Sequence, residues 1–412
     1  MKITSVKGTN DYLPAEVRLR DYLQRIILDT YQSCGFERIM TPAIEDMENL
    51  DKSDGGENLN LLFKILKRGD KLTKALEGGK FDALSDIGLR YDLTLPLSRY
   101  YAAHRNDLLT PFKCIQIDKV YRAERPQKGR LREFVQCDID MIGSSSCYCE
   151  VELIDTTAKA LLRLGMKDFK VKVNDRRLLK NILTGIGFLE EQLDTLCISL
   201  DKLDKIGTEG ICEELEEKGM DRDKVEKLLA ILSDRPFTME KVRPLCSQPE
   251  VIESLETIFT EVERIAKGTY SVELDITLVR GQGYYTGTIF EVESPHFKGA
   301  IAGGGRYDNL IGKFLNESVP AVGFSIGFER IFAILSEGGF EIPGRQKRVG
   351  VLYALSDFQK AFTFAEKLRA DGIHVALFEK PKKAGKLIQR LEEQGYDGFC
   401  NIGEGEPEVK YW

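Results

Sequence analysis

Histidine is scarce in this chain, occurring only at His104, His296 and His374. So few histidines exclude a histidine-rich metal site and argue against a Ser-His-Asp hydrolase. The nine cysteines are scattered and odd in number. Cys147 and Cys149 are separated by a single residue, which suits neither a zinc knuckle nor a redox pair. These features predict a protein of a reducing cytosol without a structural metal.

Other familiar signals are missing as well. The chain has no apolar run of membrane-spanning length, and its start, MKITSVKGTN, does not read as a signal peptide. There is no GxxxxGK[ST] motif and no GxGxxG opening a βαβ unit in the main domain, which excludes a P-loop enzyme and gives no sign of a Rossmann site. The net charge is −7 and the pI about 5.4, so any contact with nucleic acid has to come from local basic patches.

One stretch combines arginines with the pattern of a sheet. YRAERPQKGRLREFVQCDID, residues 121–140, carries arginine at positions 122, 125, 130 and 132. Apolar and polar residues alternate along its second half, which predicts a strand with one buried face. Turn residues lie at 126–129, so the stretch predicts an antiparallel hairpin with an arginine-rich tip. Guanidinium groups match phosphate oxygens in pairs, which favours a polyanionic ligand. A solvated basic loop explains this stretch alone equally well.

The chain alternates between sheet-like and helical regions. Strand patterns surround a charged helical stretch at residues 173–267, which we interpret as an insertion in a domain of residues 1–335. GGFEIPGRQK then has the composition of a linker. Residues 346–412 follow a βαβαβ pattern, which predicts a small α/β domain.

Three further segments carry unusual chemistry. LRYDLT puts a carboxylate and a hydroxyl in an apolar strand at 89–94, LVRGQGYYTG spans 278–287, and GGGRYD at 303–308 is followed by GFSIGFER at 323–330. Each alone has an ordinary explanation, such as a tight turn, a salt-bridged strand end or packed tyrosines. Together with the hairpin they indicate an anionic ligand bound on an antiparallel sheet.

These segments resemble the motifs of class II aminoacyl-tRNA synthetases, and specifically of the histidyl-tRNA synthetase family. KGTNDYLP resembles the N-terminal signature, GFERIMTPAIED resembles motif 1, the hairpin resembles motif 2 and VGFSIGFERI resembles motif 3. LVRGQGYYTGTIFE and AGGGRYDNL resemble the two histidine-specific signatures. The resemblance implies an α+β catalytic domain built on an antiparallel sheet, with a helical insertion and a C-terminal anticodon-binding-like α/β domain.

The resemblance also implies a reaction and its site. Histidine would be joined to its tRNA through histidyl-adenylate made from ATP, with Mg²⁺ and with no metal ligand assigned among the side chains. Arg122 and Arg280 would be catalytic. ATP would be bound by Arg122, Glu124, Arg130 and Arg330. Histidine would be bound by Asp92, Thr94, Gln136, Asp140, Tyr284, Tyr285 and Tyr307.

The implied partners are tRNA, ATP, histidine and a second copy of the chain, with Pro42 of motif 1 at the dimer interface, and the implied compartment is the cytoplasm. The main alternative is a synthetase-like regulatory subunit of ATP phosphoribosyltransferase, a class that typically loses the catalytic arginine and the anticodon domain. A synthetase for another amino acid is the second alternative, and the YYTG signature argues against it. Many family members have Leu-Asp where this chain has Gln282-Gly283.

Overall fold

The structure is a computed structural model that describes residues 3–51, 61–126, 130–200, 202–279 and 284–412. The chain divides into two compact units. The first comprises residues up to Asp11 together with Leu23–Leu335, and the second comprises Tyr12–Tyr22 and Ser336–Trp412.

The first unit contains two sheets. Its strands in the described ranges are β1 (Glu37–Arg38), β2 (Ile44–Asp46), β3 (Phe63–Leu66), β4 (Ser85–Leu89), β5 (Phe112–Tyr121), β6 (Glu133–Ile142), β7 (Lys170–Asp175), β8 (Ser271–Leu274), β9 (Thr288–Glu293), β10 (Ala300–Arg306) and β11 (Ala321–Gly327). The larger sheet has eight strands in the order β1-β5-β6-β11-β10-β9-β7-β8, and the smaller has three in the order β2-β4-β3. Parallel pairing is confined to the two edges of the larger sheet, β1 with β5 and β7 with β8. The predicted antiparallel α+β architecture is confirmed.

Helices connect and extend these strands. They are α1 (Pro14–Ser33), α2 (Met47–Leu50), α3 (Asp70–Glu77), α4 (Thr94–His104), α5 (Tyr148–Arg163), α6 (Arg176–Ile186), α7 (Glu190–Leu200), α8 (Leu203–Glu217), α9 (Arg222–Ser233), α10 (Met239–Val242), α11 (Pro249–Ala266), α12 (Gly312–Leu315) and α13 (Phe328–Glu337). In the stretch predicted as an insertion, α6 to α11 follow strand β7, which already belongs to the central sheet. None of the helices in the described ranges combines the length and apolar character needed to cross a bilayer.

The arginine-rich hairpin is present as β5 and β6. The two strands pair antiparallel from Phe112 opposite Ile142 to Tyr121 opposite Glu133, which confirms the predicted pairing. The prediction that only one face of β6 is buried is wrong, because Cys137, Asp138 and their successors up to Ile142 are all buried. β11 pairs with the other edge of β6, so this strand lies inside the sheet.

The segment GFERIMTPAIED around Pro42 is divided between two strands of different sheets. β1 ends at Arg38 and β2 begins at Ile44, in the smaller sheet. Proline has no N–H to donate to a strand partner, so the chain leaves one sheet before Pro42 and enters the other after it.

The second unit is a small α/β sheet. It contains β12 (Arg348–Tyr353), α14 (Phe358–Ala370), β13 (His374–Glu379), α15 (Ala384–Glu393), β14 (Gly398–Asn401) and β15 (Lys410–Tyr411). β12 pairs parallel with β13 and with β14, which confirms the predicted βαβαβ pattern. β15, which was not predicted, adds antiparallel to β14 and gives the order β13-β12-β14-β15. Val349, Val351 and Cys400 form the centre of its core.

Candidate active site

A cavity of about 480 Å³ opens over the larger sheet of the first unit. It is lined by every predicted site residue that the structure describes: Asp92, Thr94, Arg122, Glu124, Arg130, Gln136, Asp140, Tyr284, Tyr285, Tyr307 and Arg330. Arg280, with Gly281, Gln282 and Gly283, lies outside the described residues. Segments that are far apart in sequence therefore meet in one site.

Glycines form part of the floor of this cavity because the strands and side chains approach closely there. A Cβ on Gly304 would lie 2.0 Å from the carbonyl oxygen of Gly323 on the neighbouring strand. A Cβ on Gly323 would lie 1.9 Å from Oδ1 of Asp140. The glycine-rich motifs thus leave room both for strand pairing and for an acidic side chain.

Asp140 lines the cavity from near the C-terminal end of β6. The hydroxyl of Tyr307 donates to its Oδ1 at 2.6 Å. Its Oδ2 is buried and has no hydrogen-bond partner among the described residues. Burial raises the pKa of this carboxyl to about 7, although the donation from Tyr307 opposes the shift. The second oxygen is therefore available to a ligand that donates.

Asp92 offers a second acceptor of the same kind. Its Oδ1 accepts from the backbone N–H of Leu95 at 3.1 Å, which helps to begin α4. Its Oδ2 is buried without a hydrogen-bond partner in the described part of the chain. Burial raises the pKa of the Asp92 carboxyl, while the Leu95 N–H and the charge of Arg122 lower it. Oε1 of Gln136 is another buried acceptor that has no hydrogen-bond partner within the described ranges.

Asp138 also lines the cavity, and sequence reasoning did not select it. Nε2 of Gln136 lies 3.4 Å from its Oδ2, a long contact. Burial, and then the charge of Asp140, raise the pKa of the Asp138 carboxyl well above its ordinary value. The available signal was its position between Gln136 and Asp140, on the same side of the strand as both.

The cavity is also lined by cationic side chains. Nε of Arg122 donates to the carbonyl oxygen of Tyr91 at 3.0 Å, and its guanidinium lies 5.0 Å from the ring centroid of Phe134. Nη1 of Arg130 lies 3.4 Å from Oε2 of Glu124. These three charged side chains lie at the tip of the hairpin, between the end of β5 and the start of β6.

Arg330 reaches the same cavity from the first turn of α13. Its Nη1 donates to the carbonyl oxygen of Ala300. Its guanidinium lies 5.6 Å from the ring centroid of Phe297. Together with Arg122 and Arg130 it gives the cavity three guanidinium groups, which suits a ligand with several phosphate groups.

Three tyrosines form the wall beside Asp140. The ring centroids of Tyr284 and Tyr285 are 4.9 Å apart, and those of Tyr284 and Tyr307 are 6.1 Å apart in an edge arrangement. Burial raises the pKa of Tyr284 and of Tyr307 well above the usual value. Their phenols therefore remain protonated and can donate at neutral pH.

Comparison with known proteins identifies the family of this chain. The profile of the histidyl-tRNA synthetase family matches residues 8–331. A histidine–tRNA ligase from Leifsonia xyli is 39% identical over 425 residues, which cover 99% of this chain and 97% of that protein. The crystal structure of histidyl-tRNA synthetase from a Nostoc species matches with a TM-score of 0.81 at 26% identity, covering 100% of this chain and 97% of that one.

The fold is that of a class II aminoacyl-tRNA synthetase. Within that class, the chain belongs to the histidyl-tRNA synthetase family. A Bacillus halodurans structure described as an ATP phosphoribosyltransferase regulatory subunit/histidyl-tRNA synthetase also matches, with a TM-score of 0.80 at 23% identity over 98% of this chain and 100% of that one. That last likeness concerns the fold alone.

Proposed function

We infer that the protein is a histidine–tRNA ligase, which activates histidine with ATP and transfers it to tRNA. The observation that carries this inference is the pairing, in one cavity, of buried acceptor oxygens with arginines. Oδ2 of Asp92 and Oδ2 of Asp140 can accept from a donor on a ligand, and the guanidinium groups of Arg122, Arg130 and Arg330 line the same cavity, where they can bind an anion. Histidine supplies an ammonium and an imidazole N–H, and ATP supplies the phosphates.

We propose that the acidic part of the cavity selects histidine. Asp92, with Thr94 and Gln136, would take the α-amino group. Asp140 and Tyr285 would meet the two imidazole nitrogens, while Tyr284 and Tyr307 enclose the ring. A site that pairs both nitrogens rejects apolar side chains strongly, because its own buried polar groups would otherwise stay unpaired.

The arginines are proposed to act on ATP. Arg122 would contact the α-phosphate and the histidine carboxylate, Glu124 would accept from the adenine amino group, and Arg130 and Arg330 would hold the other phosphates. Arg280 is proposed as a second cation at the α-phosphate, since it directly follows Val279, which lines the cavity. A carboxylate oxygen of histidine bonds to the α-phosphorus while the bond to the leaving pyrophosphate breaks. Fixed guanidinium groups stabilise the charge that grows on the phosphoryl oxygens.

Mg²⁺ is proposed to bind with the triphosphate. Glu291 and Glu329 line the cavity, and Mg²⁺ commonly uses one or two carboxylates when phosphates supply other ligands. In the described ranges no three His, Cys, Asp or Glu side chains gather to hold a metal alone. When bound, the ion would neutralise charge on the phosphates.

Transfer to tRNA completes the proposed reaction. A terminal ribose hydroxyl of tRNA attacks the carbonyl carbon of histidyl-adenylate, and AMP leaves. We propose residues 1–335 as the catalytic domain with the helical insertion inside it, and residues 346–412 as the anticodon-binding domain. The exposed basic residues Lys380, Lys382, Lys383, Lys386 and Arg390 support a contact with RNA there.

A second copy of the chain is proposed to cover the region around Pro42. Met40 is 72% exposed, Ile44 50% and Leu66 58%, so several large apolar side chains in and just before the smaller sheet are exposed to solvent. We propose the cytoplasm as the compartment, because all nine cysteines are free thiols. Sedimentation at micromolar concentration tests the dimer, and a monomer there would contradict it.

The alternative of a regulatory subunit is less supported, since a subunit without catalysis has no need of three arginines facing buried carboxylates. Histidine-dependent ATP–pyrophosphate exchange tests the choice directly. The wild type should exchange, and Arg122→Ala should lower kcat by ~10²–10³, the usual cost of removing one such group. A folded wild type that binds histidine without exchange would favour the regulatory subunit.

A further inference from the structure

Arg90 is an arginine that none of the roles above uses. It follows β4 directly and is only 1% exposed. A guanidinium so far from water is costly unless its N–H groups are paired. The partners of Arg90 therefore indicate what the residue is for.

Its guanidinium joins two separate segments of the first unit. On β5, Nε donates to the carbonyl oxygen of Lys119 at 2.9 Å and Nη2 lies 2.8 Å from Oδ2 of Asp118. On the segment after β1, Nη1 donates to the carbonyl oxygen of Thr41 at 2.6 Å, with that of Pro42 at 3.4 Å. Most of these partners are main-chain carbonyls, so Arg90 fixes the path of the backbone as well as balancing a charge.

The backbone of Arg90 extends the same link to the active site. Its N–H donates to the carbonyl oxygen of Ala43 at 2.9 Å, and its own carbonyl oxygen accepts from the N–H of Tyr121 at 3.0 Å. The next carbonyl, of Tyr91, accepts from Nε of Arg122. The orientation of the Arg122 guanidinium therefore depends on a carbonyl that is one residue from the Arg90 anchor.

Gln116 makes a parallel bridge on the other side of Asp92. It is 2% exposed, and its Nε2 donates to the carbonyl oxygen of Leu93 at 3.0 Å. Its Oε1 accepts from the hydroxyl of Thr41 at 3.2 Å. The stretch that carries Asp92 is thus held before and after the carboxylate by buried polar side chains that reach the same segment.

We propose that Arg90 is a positioning residue for histidine activation: its fork fixes residues 90–92 so that Asp92 and Arg122 address one bound substrate. This inference rests on the proposed function. Lysine cannot replace the fork, because a single ammonium cannot satisfy Lys119, Asp118 and Thr41 in their fixed directions.

The test compares Arg90→Lys with Arg99→Lys. Arg99 also forms an ion pair, at 2.7 Å to Glu45, but does not line the cavity. In pyrophosphate exchange, Arg90→Lys should lower kcat by ~10–100-fold and raise the histidine KM, since small displacements of a reacting group carry such costs. Arg99→Lys should leave both constants within about twofold. Thermal unfolding of both variants shows whether the loss of activity exceeds the loss of stability.

Normal kcat and histidine KM in Arg90→Lys would overturn the inference, whatever its Tm. Should that variant fail to fold, Asp118→Ala decides, because Asp118 is 33% exposed and its loss leaves the carbonyl partners in place. We expect Asp118→Ala to lower kcat about threefold to tenfold, and an unchanged kcat there would also overturn it. An inactive wild type would instead contradict the proposed function, so the two failures are distinguishable.

Discussion

At the scale of single residues, the cavity concentrates negative charge that the protein itself compensates only in part. Asp92, Asp138 and Asp140 are all buried, and burial raises the pKa of each carboxyl. Arg122 is the cation that lowers the pKa of both Asp92 and Asp138. A ligand that brings an ammonium and a ring N–H relieves this repulsion, which is a physical reason for histidine to bind before its carboxylate reacts.

If Asp140 binds the imidazole as proposed, its pKa should make histidine binding dependent on pH. The carboxyl has a pKa of about 7, and Oδ1 already accepts from Tyr307, so Oδ2 is the oxygen proposed to accept from an imidazole N–H, which it does best when it carries no proton. The histidine KM of the wild type should therefore rise as the pH falls from 8 to 6. Asp140→Asn should raise the KM about tenfold at pH 8, the cost of about one hydrogen bond to a charged group. The pH dependence of the histidine KM of Asp140→Asn should then reflect only the titration of free histidine.

The same shift affects stability in the opposite sense. The folded protein raises the pKa of Asp140 from 3.8 to about 7. The protonated carboxyl therefore contributes stability that is fully present below pH 3.8 and is lost as the pH rises through about 7. Pyrophosphate exchange at a series of pH values measures the change in the histidine KM. Thermal unfolding at the same pH values measures the change in stability. Parallel KM profiles for the wild type and Asp140→Asn would contradict the assignment of Asp140.

Gly323 offers a second prediction at this scale. A methyl group at this position would meet Oδ1 of Asp140 at 1.9 Å, so Gly323→Ala must displace the carboxylate. We expect the histidine KM to rise at least about tenfold, because the acceptor moves out of reach of its donor. The ATP KM should change little. Gly185→Ala is the matched control, because nothing lies within 4 Å of its new methyl group; equal effects of the two substitutions would refute the explanation.

At the scale of elements, the sequence predicted strands and helices correctly where a single periodicity dominated a segment. Alternation of apolar and polar residues predicted the β5–β6 hairpin, and βαβαβ spacing predicted the sheet of the second unit. Asp138 was missed because the motif resemblance assigns roles to Gln136 and Asp140 but not to the residue between them. Alternation within the segment also could not show that β6 lies inside the sheet, because its neighbour β11 is distant in sequence. β15 was missed because two residues are too short for any periodicity.

The short strand β15 should nevertheless stabilise the second unit. The ring of Trp412, just after it, lies 5.5 Å from that of Phe399, and its indole N–H donates to the carbonyl oxygen of Tyr396 at 2.6 Å. Trp412→Ala should lower the free energy of unfolding of this unit by about 1–2 kcal/mol, for one aromatic pair and one hydrogen bond. Calorimetry measures this loss of stability. Trp412→Phe keeps an aromatic ring but removes the indole N–H, and it should lose about half as much stability. Unfolding unchanged in Trp412→Ala would show that β15 is dispensable.

At the scale of the whole molecule, the chain has separate units for separate tasks in our proposal. The cavity lies entirely in the first unit, and the exposed lysines around α15 lie in the second. Sequence could predict this arrangement from the linker composition and the change of pattern. It could not predict that Tyr12–Tyr22 belongs with the second unit, because that segment is the start of one continuous helix, α1.

If the second unit binds tRNA through α15, charge reversal there should weaken tRNA charging alone. The double substitution Lys382→Glu with Lys386→Glu removes two cations in and next to α15, so the tRNA KM should rise about tenfold. The salt dependence of tRNA binding should weaken by the amount expected for the loss of about two phosphate contacts. Lys367→Glu with Arg369→Glu, on α14, is the matched control. A Cβ on Gly350 of β12 would meet Leu391 of α15, whereas Val349 and Val351 on either side of it pack in one cluster with Ala361 of α14. Since successive residues of a strand point to opposite faces, α14 and α15 cover opposite faces of the sheet. Pyrophosphate exchange should be normal in both variants, because neither alters the cavity, and equal tRNA KM values would remove the reason to assign RNA binding to α15.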